Sequence, residues 1–304
     1  MACPEKEVTV VIPTTGETVR LNCLENAIGS VCNQSGVMTV PLVMLNGTIY
    51  NREIRNRLST DGRIRFFYEE TPSLPNAIHE ARKKVNTEYF CYLDDDDVLI
   101  EDTVQRRLAP FEADSTLDVV VSNGYKQKLG NGNKKLFFSN IVENRYNPMY
   151  SLMTGNWLVS CGGLFKTESI GPEYFDRHQK YYEWTYIAYK LAKDKHLYFL
   201  DEPTFIVNES DISLSKRENY LIELPIFLNK LLLLESPPEG VKPMLREKIA
   251  NSHNCLATYY LGKGCYKKAL KSHWDCITII PQGIKYHPWI VAFLRKAIFR
   301  HRNH

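Results

Sequence analysis

No CxxC pair joins any two of the eight cysteines, which stand at positions 3, 23, 32, 91, 161, 255, 265 and 276. That scatter excludes a zinc framework or a disulfide scaffold, and it predicts reduced, mostly buried thiols of a cytoplasmic chain. Nor does any run of 18 apolar residues occur, so no membrane-spanning helix is expected. The opening MACPEKEVTVVIP lacks a basic region followed by an apolar core, and no secretory signal is expected from it. Acidic residues cease after Asp275, while Lys285, Arg295, Lys296, Arg300 and Arg302 follow. Those five cations exceed the +3 net charge of the whole chain, so the remainder is slightly acidic and no nucleic-acid partner is expected. What is present is ordinary globular usage, 44% apolar and 24% charged over 304 residues, with room for two domains.

Short β-branched and aromatic runs alternate with helical periodicity over the first half. VTVVI at 8–12 reads as a buried strand stopped by Pro13, and Thr14-Thr15-Gly16-Glu17 as the turn after it. Leu21, Leu24, Ile28 and Val31 recur at helical spacing. Strands follow at 40–45, ending in Asn46-Gly47, at 64–68, and at 89–93; helices are expected near 75–86 and from 100 to 116, and a further strand at 118–121. This alternation predicts an α/β sandwich with a mostly parallel sheet, whose ligands lie outside the carboxyl ends of the strands. The turns at Thr14, Asn46 and Asp94 all fall at such ends. From about 125 to 180 the pattern weakens. A helix is expected around Trp184, Ile187, Ala188 and Leu191, a strand at 197–200, and a polar segment without periodicity at 208–217. Residues 220–234 and everything after 244 read as helical, with Pro237-Pro238-Glu239-Gly240 as the expected linker.

The chemistry concentrates where the strand YFCYL runs into four consecutive aspartates, Asp94 to Asp97. Adjacent like charges repel and raise each other's pKa, and a divalent cation is the usual remedy. Carboxylate oxygens suit Mg2+ or Mn2+, with phosphate oxygens and water filling the remaining positions. In an extended segment Asp94 and Asp96 would face one side, one for the metal and one for a ribose or a metal-bound water. A solvated acidic turn that caps the next helix is the plainer alternative.

VTVVIPTTGETVRLNCLENAIGSVCNQ, VPLVMLNGT and YFCYLDDDDVL together resemble the nucleotide-binding segments of the family 2 glycosyltransferases, over roughly residues 6–216. The resemblance implies a GT-A fold, a Rossmann-like α/β/α sandwich. It places Pro13, Thr14, Thr15, Glu17 and Asn46 beside the nucleotide, with Asn46 standing where the family has a base-binding aspartate. It assigns Asp94 and Asp95 to the nucleotide, and Asp96 with Asp94 to the metal. The family's Ala-Arg-Asn appears here as Ala77-Ile78-His79, which loses the arginine and offers His79 in place of the asparagine.

The same resemblance makes Glu183, in Tyr182-Glu183-Trp184, the catalytic base, where the family carries a Glu-Asp pair. At a helix start the dipole keeps such a carboxylate ionised, and it would equally favour a routine helix-start glutamate. Ser213-Leu214-Ser215-Lys216-Arg217 resembles the mobile lid, whose Lys216 or Arg217 would meet the departing diphosphate; a loop with two solvated cations is the alternative. Residues 250–281 resemble one tetratricopeptide repeat, a helix hairpin that cannot bury its own face. The basic, aromatic tail after it either lies on an anionic membrane or caps the hairpin.

These readings predict a catalytic domain over 1–218 and a helical region over 219–304. They predict a metal-dependent inverting transferase, moving a sugar from a nucleoside-diphosphate sugar, UDP-linked, to a hydroxyl of a carbohydrate or lipid-linked acceptor. A haloacid-dehalogenase-type phosphatase built on Asp94 and Asp96, with Asp201-Glu202 as a second acidic pair, is the principal rival. A sugar nucleotidyltransferase would need a Gly-rich, Arg-containing loop that is missing after the first strand. A non-catalytic binding module, acting through the repeat-like hairpin, would need no metal cluster.

Overall fold

The computed structural model describes residues 6–128, 132–209, 218–279 and 293, and the chain divides into two compact units, Met1–Ser210 and Asp211–His304. In the first unit β1 (Glu7–Thr14) is buried along all but its first residue, because helices cover both faces of a central parallel strand. Helix α1 (Leu21–Cys32) turns Leu24, Ala27, Ile28 and Val31 inward, one apolar stripe at helical period. There follow β2 (Met38–Asn46), α2 (Arg52–Thr60), β3 (Arg65–Glu69), α3 (Leu74–Arg82) and β4 (Tyr89–Tyr92). Asn51 caps α2 by accepting from the Glu53 N–H, and Ser73 caps α3, with Pro75 in its first turn.

The chain continues through β5 (Val98–Leu99), α4 (Thr103–Ala113), β6 (Val119–Lys128), β7 (Lys134–Leu136), α5 (Pro148–Thr154), β8 (Gly163–Lys166), α6 (Glu183–Asp194) and β9 (Leu197–Glu209). The sheet order is β3-β2-β1-β4-β8-β6-β9-β5, with β7 paired to β6. The half made of β3, β2, β1 and β4 is wholly parallel, whereas β8 runs antiparallel to both of its neighbours. Strand order reverses beside β1, which lies between β2 and β4. In open α/β sheets that reversal is where ligands bind, outside the carboxyl ends. Because β1, β2 and β4 are parallel, Thr14, Asn46 and the segment after Tyr92 share one edge.

Several elements depart from the sequence expectations, each for a physical reason. Helix α2 escaped because its only buried apolar residues are Ile54 and Leu58. Strand β8 lies in the stretch without pattern and is only four residues long, too short for a periodic signal. Strand β9 does not stop at Leu200. Its pairing with β6 jumps from Ser122–Leu200 to Asn123–Pro203, so Asp201 and Glu202 form a solvent-facing irregularity within one long strand. Fully buried Arg107 of α4 hydrogen-bonds the Ser122 and Thr204 hydroxyls at 3.0 and 2.7 Å and the Cys161 carbonyl, fastening β6, β9 and the residue beside Ser160. The thiols are not mostly buried. Cys91, Cys161 and Cys276 are, but Cys32, Cys255 and Cys265 are exposed, and all seven described cysteines are free.

The second unit holds α7 (Glu218–Leu234), α8 (Lys242–Gly262) and α9 (Tyr266–Ile279). Pro237–Gly240 joins α7 to α8 inside this unit. Between α8 and α9, Gly264 sits at φ +74°, the Gly264 N–H donates to Leu261 and the Cys265 N–H to Tyr260, which is a Schellman stop. Ala250, Ser252, Ala257, Ala269 and Ser272 are buried small residues of these two helices. Of the basic tail only Phe293 lies within the described residues, where it packs on Tyr266. No described helix is long and apolar enough to cross a membrane.

Candidate active site

At the end of β1 the Thr14 hydroxyl is spent inside the protein. It donates to Asp95 Oδ2 at 2.5 Å and accepts from the Gly16 N–H at 3.1 Å, leaving Thr14 almost fully buried. Gly16 takes φ +65°, and a Cβ there would meet Leu45 Cδ1 at 2.6 Å, so the turn demands glycine. Pro13 is buried within β1, and Thr15 donates to the Glu17 carboxylate at 3.1 Å. Asn46, at the end of β2, donates its amide N–H to the Thr14 carbonyl at 3.0 Å. An aspartate could not make that bond. The amide's carbonyl end is then the acceptor it can offer a ligand.

The aspartates do not form an extended segment with alternating faces. β4 ends at Tyr92, and the Asp97 N–H donates to the Asp94 carbonyl at 3.1 Å, a tight turn. Each carboxylate finds a different partner. Asp94 Oδ2 accepts from the Ser160 hydroxyl at 2.7 Å. Asp95, 4% exposed, takes Thr14 and a bidentate grip from Arg20, whose Nε lies 2.9 and 3.0 Å from its two oxygens. Asp96 keeps 31% of its side chain exposed and meets the same guanidinium at 3.1 Å. Asp97, 3% exposed, accepts from the Asn208 N–H at 2.9 Å and faces the Cys161 thiol at 3.7 Å. Asn208 also donates to the Asp96 carbonyl at 2.6 Å. A solvated acidic cap is thereby excluded for Asp95 and Asp97.

The electrostatics show a turn short of positive charge. Burial, then the Asp96 and Asp95 carboxylates, pushes Asp94 up to about 7, despite the Ser160 bond and Arg20. Burial also raises Asp96, with Arg20 opposing. Asp97 is raised well above the carboxylate range, by burial first and then by Asp94. Four carboxylates facing the one guanidinium of Arg20 are hard oxygen donors that fit a divalent cation, and Mg2+ takes one or two carboxylates before phosphate and water. Among the described residues, no cluster of three or more histidine, cysteine or acidic side chains forms a complete metal cage. A cation here would need a ligand's phosphates to complete its shell.

Glu183 opens α6 after two consecutive left-handed residues, Tyr181 at φ 64° and Tyr182 at φ 55°. Such backbone strain in non-glycine residues persists where surroundings enforce it, often beside functional groups. It turns the Tyr181 N–H onto Glu183 Oε1 at 3.1 Å. Burial raises the carboxyl above its usual value of 4.5, with that N–H and its own backbone opposing. Glu183 lines a small cavity with Pro75, Ile78, Asp176 and Gln179. Next to it, the Trp184 ring lies edge-on to Tyr92 at 5.3 Å between centroids, two residues before the aspartates. His79 Nδ1 sits 3.1 and 2.7 Å from the Pro172 and Phe175 carbonyls, which ties α3 to the segment leading to Glu183. Lys216 and Arg217 lie outside the described residues. Sequence reasoning missed Arg20, Ser160 and Asn208. Arg20 had a signal, since it is the only cation between Pro13 and Gln34; Ser160 and Asn208 had none.

The sequence matches the family described as "Glycosyl transferase family 2" over residues 9–184, more than half of the chain. The protein belongs to glycosyl transferase family 2. This glycosyltransferase has no significant sequence match among curated proteins. Its fold matches crystal structures of S. aureus TarS residues 1–349. The UDP complex aligns with TM-score 0.58 and 13% identity over 97% of this chain and 89% of that one. The UDP-GlcNAc complex gives 0.54 and 14% over 92% and 81%. At such identity the likeness establishes the GT-A-like fold. The phosphatase alternative is overturned by the family assignment, and Asp201 sits in β9 accepting from the Asn123 amide at 3.2 Å, a structural bond.

Proposed function

We propose that this glycosyltransferase moves a sugar from a UDP-linked donor, with Mg2+ or Mn2+, to a hydroxyl of a carbohydrate or lipid-linked acceptor, inverting the anomeric centre. The observation that carries the reading is the aspartate turn at the strand-order reversal, beside Thr14 and Asn46 and short of positive charge. Asn46 offers its carbonyl oxygen to the uracil N–H. Asp94 and Asp96 are the carboxylates that would hold the cation, with the diphosphate completing its shell. When bound, the cation neutralises the diphosphate and stabilises its charge as it leaves. The UDP and UDP-GlcNAc complexes of TarS support a uridine donor and a hexosyl or N-acetylhexosaminyl group.

Glu183 accepts the proton of the acceptor hydroxyl as that oxygen attacks the anomeric carbon from the face opposite the diphosphate. A cavity of about 290 Å³ supports a carbohydrate acceptor: it is lined by Phe138, Asn140, Asn144, Ser151 and Trp157, and no charged side chain lines it among the described residues. Trp157 is three residues from Ser160, the partner of Asp94. The acid-free tail after Asp275 supports contact with an anionic membrane face in the cytoplasm.

The test is UDP release from a panel of UDP-sugars with Mn2+. One donor is expected to be hydrolysed slowly, and faster when neutral oligosaccharides are added. Phosphate release from a simple phosphomonoester, with no turnover of any nucleotide sugar, would contradict the reading.

A further inference from the structure

Among the described residues, one cation touches the aspartate turn, and it meets two of the four carboxylates, Asp95 and Asp96. Arg20 ends the short 3-10 turn Thr18–Arg20 after β1, with about a third of its side chain exposed. Its two attachments differ. On Asp95 it makes a bidentate pair, Nε at 2.9 and 3.0 Å with a second terminal N–H on Oδ1, and that carboxylate is buried and further fixed by Thr14. Bidentate guanidinium–carboxylate pairs are both strong and directional. On Asp96 it makes a single contact at 3.1 Å, at the one carboxylate of the pair that faces solvent. The first attachment is a fixture; the second is an exchangeable contact.

We propose that Arg20 is the resident counter-cation of this turn: it occupies Asp96 Oδ2, yields it when a divalent cation binds, and, still held on Asp95, offers the diphosphate the N–H groups that Asp95 does not use. This rests on the proposed nucleotide-sugar function. Two positive charges cannot share Asp96 Oδ2 without repulsion, so the guanidinium competes with a metal arriving alone. Once a diphosphate is present its negative oxygens accept the displaced donor, and competition becomes cooperation. The Asp95 pair meanwhile keeps the guanidinium at the site. Arg20 is thus a binding residue whose sign of effect depends on whether the nucleotide is there.

Mn2+ binding to nucleotide-free protein, read by the electron paramagnetic resonance of free Mn2+, and UDP binding in saturating Mn2+, read by calorimetry, test this on the full chain. Arg20→Gln is expected to bind Mn2+ about tenfold more tightly at low ionic strength, since a unit charge beside the ion is removed. The same variant should bind UDP about tenfold more weakly, having lost a charge-assisted donor. Opposite shifts are the signature. A merely structural role would collapse the turn and weaken both. Arg20→Lys keeps a positive charge but loses the bidentate hold on Asp95, and is expected to bind Mn2+ less tightly than Arg20→Gln does. If Arg20→Gln weakens Mn2+ binding, or Arg20→Lys tightens it as much as Arg20→Gln does, the competition is overturned. A wild-type protein that binds neither Mn2+ nor UDP overturns the proposed function with it; one that binds both, with same-direction shifts in the variant, overturns this inference alone.

Discussion

Glu183→Gln is expected to lower turnover by about a hundred- to ten-thousand-fold, or roughly 3 to 5 kcal/mol of barrier, while UDP affinity stays near wild type. Glutamine keeps the reach of the side chain and its acceptance of the Tyr181 N–H but cannot take a proton. The affinity survives because Glu183 opens α6, whereas the aspartates follow β4. The pH profile carries the same argument. A base works deprotonated, and burial raises the Glu183 carboxyl above its ordinary 4.5. Turnover should therefore rise with pH along a limb centred above that value, and Glu183→Gln should lose the limb. A helix-start glutamate without a catalytic role would lose only a few tenths of a kcal/mol of stability and almost no rate. Transfer within threefold of wild type would move the base elsewhere, and Asp176, in the same cavity, is the next candidate.

Asp96→Ala is expected to abolish transfer and to weaken UDP binding in Mn2+ by at least about a hundredfold, since even outer-shell partners of a metal cost ten- to a hundredfold. Folding should hardly change. Asp96 is partly exposed, Arg20 keeps its pair with Asp95, and one of four repelling charges is gone. Asp97→Ala provides the contrast. That carboxylate is buried and accepts the Asn208 N–H, so its removal orphans a donor at a cost of about 1 to 3 kcal/mol. Melting curves and UDP titrations of the two variants separate the roles. Equal loss of stability in both would assign Asp96 to the fold rather than to the site.

The halves of the sheet differ in how much the sequence disclosed. β1, β2 and β4 are apolar runs that end at Thr14, at Asn46 and just before the aspartates, one residue beyond the stop expected at Pro13 in β1, because parallel strands buried on both faces keep polar residues mainly at their ends. The site sits at those same ends, so reading the strands located it. β8 and the far half of β9 stayed hidden: one is four residues long, and the other carries Asp201 and Glu202 through an irregularity that reads as a loop. The aspartates were legible as a cluster but not as a geometry. Whether four carboxylates extend or turn depends on partners 66 and 112 residues away, Ser160 and Asn208, which no local pattern announces. Arg20 was legible in principle, as a lone cation in an otherwise cation-free stretch, yet its pairing with Asp95 is a tertiary fact.

Thermal unfolding with UDP, with and without Mn2+, tests the central claim most directly, that these strand ends hold a nucleotide through a cation. With Mn2+ present, UDP at 100 times its dissociation constant is expected to stabilise the fold by about 2.7 kcal/mol. In EDTA that gain should largely disappear, because Asp94 and Asp96 then face the diphosphate as bare carboxylates. Equal stabilisation in EDTA and in Mn2+, or none in either, would contradict the account.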